Sequence, residues 1–123
     1  MFKRKDREDI TRERVKVITR FFAVLDTLID ERVLRGTKTF TDMYGINRRN
    51  FQKLRADIEN KSTWFDIVWV VYFARDFYVS PTWLFTGEGG MLFPGRSFDE
   101  LRAKYRPKLA KKLQASEHPF PTN

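Results

Sequence analysis

The 123-residue chain has no cysteine and a single histidine. It therefore has no disulfide framework, no thiolate zinc site and no histidine-based triad. His118, in the segment "HPFPTN", reads as an exposed tail residue. Long apolar runs are missing as well. The longest, Ile67 to Ala74, is bounded by Asp66 and Arg75 and is far too short to span a bilayer. The opening "MFKRKDREDITRERVK" mixes both signs and lacks the apolar stretch of a signal peptide, so the expected location is the cytoplasm. "GEGG" has neither a following Lys-Ser/Thr nor a preceding strand, which makes it a helix terminator and not a phosphate loop. Asp26, Asp30 and Glu31 are spaced like a solvated helix face, and no grouping points to catalysis, a metal, a cofactor or a small-molecule ligand.

Apolar residues and positive charge are plentiful. An apolar share of 41% with twelve phenylalanines can build a real core. The net charge of +8 is unevenly spread: residues 1–20, 32–61 and 94–123 are basic (+4, +5, +4), while 21–31 and 62–93 are acidic (−3, −2). Clustered cations attract polyanions, nucleic acid first among them. A membrane surface is the rival, but no segment joins a basic face to a broad apolar one.

Val15, Ile18, Phe22, Leu25 and Ile29 recur at alternating spacings of three and four, predicting an amphipathic helix ended by Gly36. A short second helix runs from Thr37 or Lys38 to Tyr44, with Phe40, Met43 and Tyr44 facing inward. Gly45 suits the left-handed turn that ends it. Asn47 caps a third helix that frays near Asn60, Ser62 caps an apolar fourth over 63–78, and Ser80-Pro81 opens a fifth ended by "TGEGG". Ser97 to Glu100 is a capping box for a basic helix that Pro107 interrupts.

The second and third helices, joined by Gly45-Ile46-Asn47, read as a helix-turn-helix. Phe51 and Leu54 anchor the third helix, so its opposite face projects into solvent. Such a helix fits the major groove, about 12 Å wide. Arg48, Arg49, Gln52 and Lys53 are the expected base readers, and arginine pairs with guanine O6 and N7. Thr37, Lys38, Asn47 and Arg55 are the expected phosphate contacts. Asn50 points to one side and ranks lower. Arg102, Lys104, Arg106, Lys108, Lys111 and Lys112 in the last basic stretch either add phosphate contacts or form a solvated or oligomerising helix.

"TFTDMYGINRRNFQKLR" followed by "FYVSPTWLFTGEGGMLF" resembles the lambda-repressor-like helix-turn-helix domains of phage and bacterial regulators, the Cro/C1 or xenobiotic-response-element type. The resemblance covers about residues 18 to 93, and Val79 to Gly89 is its more specific part. It implies an all-α, compact five-helix domain over 15–93, flanked by a charged extension (1–14) and an extra basic C-terminal helix and tail (94–123). It also implies a two-fold dimer on operator DNA, with Arg48, Arg49 and Lys53 at contacting positions. Thr37 stands where many members carry glutamine, and "LRADIENKS" replaces a common Trp-Glu-x-Gly ending.

The rings of Trp64, Phe65, Trp69, Tyr72, Phe73, Phe77 and Tyr78 exceed what so small a domain is expected to bury. Trp69, Phe73, Trp83 and Phe85 are therefore the expected isologous dimer contact. Two third helices one DNA turn apart, about 34 Å, would address an inverted repeat. The expected function is a sequence-specific DNA-binding regulator, a repressor of phage or mobile-element type. The alternative is the same scaffold used as a protein–protein assembly or adaptor module, and nonspecific or RNA binding is a third reading.

Overall fold

A computed structural model describes residues 4, 6–60 and 64–117, with Ser116 and Glu117 by backbone alone. The Ser62 cap and His118 lie outside the described residues. Those described form a compact all-α fold of seven helices: α1 (Arg7–Asp30), α2 (Thr37–Tyr44), α3 (Arg48–Ala56), α4 (Val68–Phe77), α5 (Pro81–Thr86), α6 (Phe98–Tyr105) and α7 (Pro107–Glu117).

α1 begins well before its apolar stripe. The Asp6 carboxylate accepts the Asp9 amide at 2.8 Å, and Glu8 and Asp9 place negative charge in the first turn, where the helix dipole favours it. The charged extension expected over 1–14 is thus, from Arg7 onward, continuous with the first helix. Its end also differs from expectation. Arg32 takes the left-handed conformation (φ 61°), the Arg32 amide bonds Ile29 O at 3.0 Å, and the Val33 amide bonds Leu28 O at 2.9 Å. This is a Schellman closure, sealed by the contact of buried Val33 with the cluster around Leu28. Gly36, with φ near 180°, ends nothing and simply precedes α2.

The core is built around Phe21. Its ring meets Phe22, Phe40, Phe51 and Phe65 edge to face, and stacks on Phe73 at 4.6 Å. Edge-to-face packing lets many rings fill one small volume, because each positive edge meets a negative face. Trp69, Phe73 and Phe77 are consequently buried in the chain's own core.

Three further details depart from expectation. Met43 is exposed, because Thr41 takes the inward position on α2 with its hydroxyl satisfied by Lys38 O at 3.0 Å. α4 starts at Val68 instead of residue 63, where the Asp66 carboxylate accepts the Val68 amide at 2.9 Å. Asp26 is half-exposed but not a free surface carboxylate, since Arg55 pairs with it.

α5 opens as expected, with Ser80 Oγ accepting the Trp83 amide and Pro81 at the first position. Its C-terminal carbonyls are closed from α1, where Arg20 donates to Leu84 O at 2.7 Å and Phe85 O at 3.0 Å. The loop after it is clipped back by an antiparallel bridge, Ser80 N to Met91 O and Phe93 N to Tyr78 O, both 2.8 Å. α6 starts at the expected Ser97 cap and breaks at Arg106, before Pro107.

Candidate nucleic-acid interface

α2 and α3 are joined by three residues. Gly45 takes φ 62°, a left-handed conformation strained for most side chains, and the Ile46 amide returns to Thr41 O at 2.9 Å. The Asn47 side chain then accepts the Asn50 amide at 3.0 Å and starts α3. Phe51 and Leu54 are fully buried; the Phe51 ring sits 5.2 Å from those of Phe22 and Trp69. With two anchors less than one turn apart, α3 cannot roll, and its opposite side faces water.

Arg48, Arg49, Gln52 and Lys53 are all exposed there. None of the three cations has an ion-pair partner among the described residues, and α3 itself contains no carboxylate. Many cations on the other helices are paired instead. Arg12 pairs with Asp9, Lys16 with Glu13, Lys38 with Asp42, Arg96 with Glu100, and Arg102 with both Asp99 and Glu31.

The expected phosphate contacts fare less evenly. Thr37 is half-buried at the start of α2, which no side chain caps, so its first amides are not spent on a cap. Lys38 is exposed, but its ammonium lies 2.6 Å from Asp42 one turn on. Asn47 is exposed, though its amide oxygen is committed as the cap. Arg55 is engaged within the chain: its Nη2 lies 2.6 Å from both carboxylate oxygens of Asp26 and its guanidinium covers the Phe22 ring at 5.4 Å. At 100° per residue Arg55 sits on the flank that α1 packs against, where an acidic partner was waiting.

The turn is braced from behind. Tyr44, the last residue of α2, stacks on Tyr72 of α4 at 4.0 Å with planes 4° apart, and donates its hydroxyl to Asp76 at 2.7 Å. Burial, reinforced by that acceptor, pushes the Tyr44 hydroxyl well above the ordinary tyrosine range, so it remains a donor. The Arg75 guanidinium, bonded at 2.9 Å, holds the Asp76 carboxyl below the usual carboxylate range, helped by Tyr44. The Asp76 carbonyl in turn accepts the Tyr105 hydroxyl at 2.6 Å, tying α6 to the same point.

Of the expected dimer contacts, Trp69 is 6% exposed and Phe73 is fully buried, so neither can touch a second copy. Trp83 is half-buried, and Phe85 is exposed. The apolar surface lies instead on Ile67 and Val71 of the α4 side beside Phe85, around a groove of about 440 Å3, with Val68 exposed on the same helix. The basic C-terminal segment is largely spent within the chain. Arg102 is ion-paired, Arg106 donates to Arg32 O, and Lys104 lies over the Tyr78 and Tyr105 rings. Lys108 and Lys111 are exposed.

Reasoning from sequence missed the surroundings of Trp64. Placed in a helix by its apolar neighbours, it stands instead in the non-helical residues before α4, and it is 71% exposed. The signal that was available is Asp66, a capping residue two positions before the observed helix start. Among the described residues, no helix is long and apolar enough to cross a membrane. No family model, no curated protein and no solved structure matches this chain.

Proposed function

We propose that this chain is a sequence-specific double-stranded-DNA-binding regulator of the lambda-repressor-like type, with α2 and α3 as its helix-turn-helix. It is read as a non-enzyme that takes no cofactor and acts in the cytoplasm by occupying an operator. α3 enters the major groove, Arg49, Gln52 and Lys53 face the base edges, and Arg48 stands in the first turn beside them. The observation that carries this reading is the set of three unpartnered cations on a carboxylate-free helix, held outward by Phe51 and Leu54. Many cations of α1, α2 and α6 are neutralised locally, whereas these three, clustered on one helix face, are left to an external anion. The Thr37 and Lys38 amides supply a phosphate contact at the start of α2.

Two copies address an inverted repeat through an isologous contact of Ile67, Val68, Val71 and Phe85, which replaces the buried Trp69 and Phe73 in that role. The same exposed strip favours a second reading, in which the domain is an assembly module that binds protein alone. Selection of bound duplexes from a random library at moderate salt separates the two. The regulator reading expects an enriched inverted repeat, with Arg49→Ala relaxing one base position at a cost of about 1–3 kcal/mol. Recovery of unenriched duplexes would defeat it.

A further inference from the structure

A groove of about 420 Å3 runs along one flank of α3, between the 45–47 turn and the residues that lead into α4. Asn50 and Lys53 line it from α3, and Trp64, Asp66 and Trp69 from the other side. Its size and its mixture of rings with a few polar groups are those of a small-molecule site. It is assembled from separated stretches of chain, and the sequence alone suggests no such ligand.

The lining restricts the occupant. Tyr44 and Tyr72, also at the groove, spend a face each on the other and offer edges. Trp69 is packed among Phe21, Phe51 and Phe65. Trp64 differs: its described ring contact is a single edge-to-face approach to Trp69 at 6.1 Å, which leaves a broad indole surface open to water. A flat ring laid on that surface removes two apolar faces from water at once. Asp66 uses one carboxylate oxygen on the Val68 amide; the other is an acceptor for an amino group. Lys53 has no ion-pair partner, so it favours an anion and works against a simple organic cation.

A stacking face, an acceptor for an exocyclic amine and a free cation describe a nucleotide whose base carries an amino group, and the Asn50 amide in the same lining can donate to the ring nitrogen beside adenine's amine. We propose that this groove binds an adenine-type nucleotide, with the base on Trp64, its amino edge toward Asp66 and Asn50, and the phosphate at Lys53. Because Asn50 and Lys53 belong to α3, an occupied groove and a duplex on α3 compete for the same side chains, which makes the nucleotide an inducer in the reading above.

The test uses the full chain without DNA, titrated with adenosine 5′-monophosphate while tryptophan emission is followed. Saturable quenching is expected. Trp64→Leu should weaken binding by about tenfold or more, the scale of one base stacked on a ring. Its melting temperature should be unchanged, since the ring is exposed. Lys53→Ala should erase the preference for the monophosphate over adenosine. No saturable binding up to about 1 mM, the weak end of specific affinity, overturns the proposal. So does quenching that survives Trp64→Leu, or equal affinity for the nucleoside in the wild-type chain. Quenching by duplex alone, with no response to the monophosphate, also overturns it and makes Trp64 a duplex contact. Nucleotide binding by a chain that selects no duplex retires the regulator reading and leaves the groove standing.

Discussion

Replacing Asp26 with asparagine releases a fourth cation on α3, which already carries three without an ion pair. Arg55 Nη2 lies 2.6 Å from each Asp26 oxygen, and the two side chains are 36% and 49% exposed. A pair that open to solvent is worth about 0.5–1 kcal/mol after screening. The guanidinium over Phe22 adds about 0.5–1 kcal/mol. Asp26→Asn removes only the first contribution and Arg55→Ala removes both, so the expected losses are about 1 and 1–2 kcal/mol. For a domain of this size each kcal/mol lowers the Tm by about 4 °C. DNA binding discriminates further, because every phosphate neutralised contributes about −0.9 to the slope of log K against log salt. Arg55→Ala should therefore leave the slope unchanged, Lys53→Ala should flatten it by about 0.9, and Asp26→Asn should steepen it by a comparable amount. Fluorescence anisotropy of a labelled selected duplex across a salt series measures all three. If Arg55→Ala flattens the slope as much as Lys53→Ala, the pair opens on DNA and the internal assignment of Arg55 is wrong.

Phe51→Ala should cost about 3–5 kcal/mol, because a ring packed against Phe21, Phe22, Phe40 and Trp69 leaves a cavity that cannot collapse; a calorimetric loss under about 2 kcal/mol would show that α3 is not anchored there. Asp76, held below the ordinary carboxylate range, contributes stability that is present above about pH 4 and disappears as pH falls through its lowered value. Asp76→Asn should shrink the difference in Tm between pH 7 and pH 3, and an unchanged acid limb would contradict the Arg75 and Tyr44 contacts. Val71→Asp should shift the chain from dimer to monomer in sedimentation by at least tenfold in dissociation constant without lowering the monomer's Tm, since Val71 is half-exposed on the strip.

Local chemistry was the most legible part of the fold. Asn47, Ser80 and Ser97 each accept the amide three residues on, as residues of their type do at helix starts. Gly45 and the Phe51–Leu54 anchor also follow from turn chemistry and helical period alone. What failed was pairing between distant segments. Nothing near Arg55 in the sequence announces Asp26, which reaches it only because α1 packs beside α3. Arg32 ends α1 although Gly36 looks the better terminator, because the Val33–Leu28 contact fixes the closure from the core side. The number of rings suggested a surplus for a dimer, but close ring packing around Phe21, tilted against Trp69 and stacked on Phe73, holds both inside. The groove beside Trp64 was illegible for the same reason, since its walls come from separate stretches that no spacing rule connects.

The distribution of partners separates charge as composition from charge as site. A net charge of +8 spread over a chain attracts polyanions without choosing among them. Here Asp9, Glu13, Asp42, Asp99 and Glu100 each take up a cation within four residues, and Asp26 and Glu31 take up Arg55 and Arg102 from other helices. Exposed pairs of this kind contribute little stability. Their effect is on the field, because they mute α1, the second turn of α2 and α6. Arg48, Arg49 and Lys53 then stand out on a helix whose neighbours are locally neutral. Inserting a carboxylate one turn from Arg49 should test this directly. Lys53→Glu reverses one charge and places an acceptor four residues after Arg49, so it should abolish duplex selection more completely than Lys53→Ala while leaving the Tm within a few degrees. Equal binding by the two variants, whose net charges differ by one unit, would mean that charge at this position on α3 does not govern the attraction.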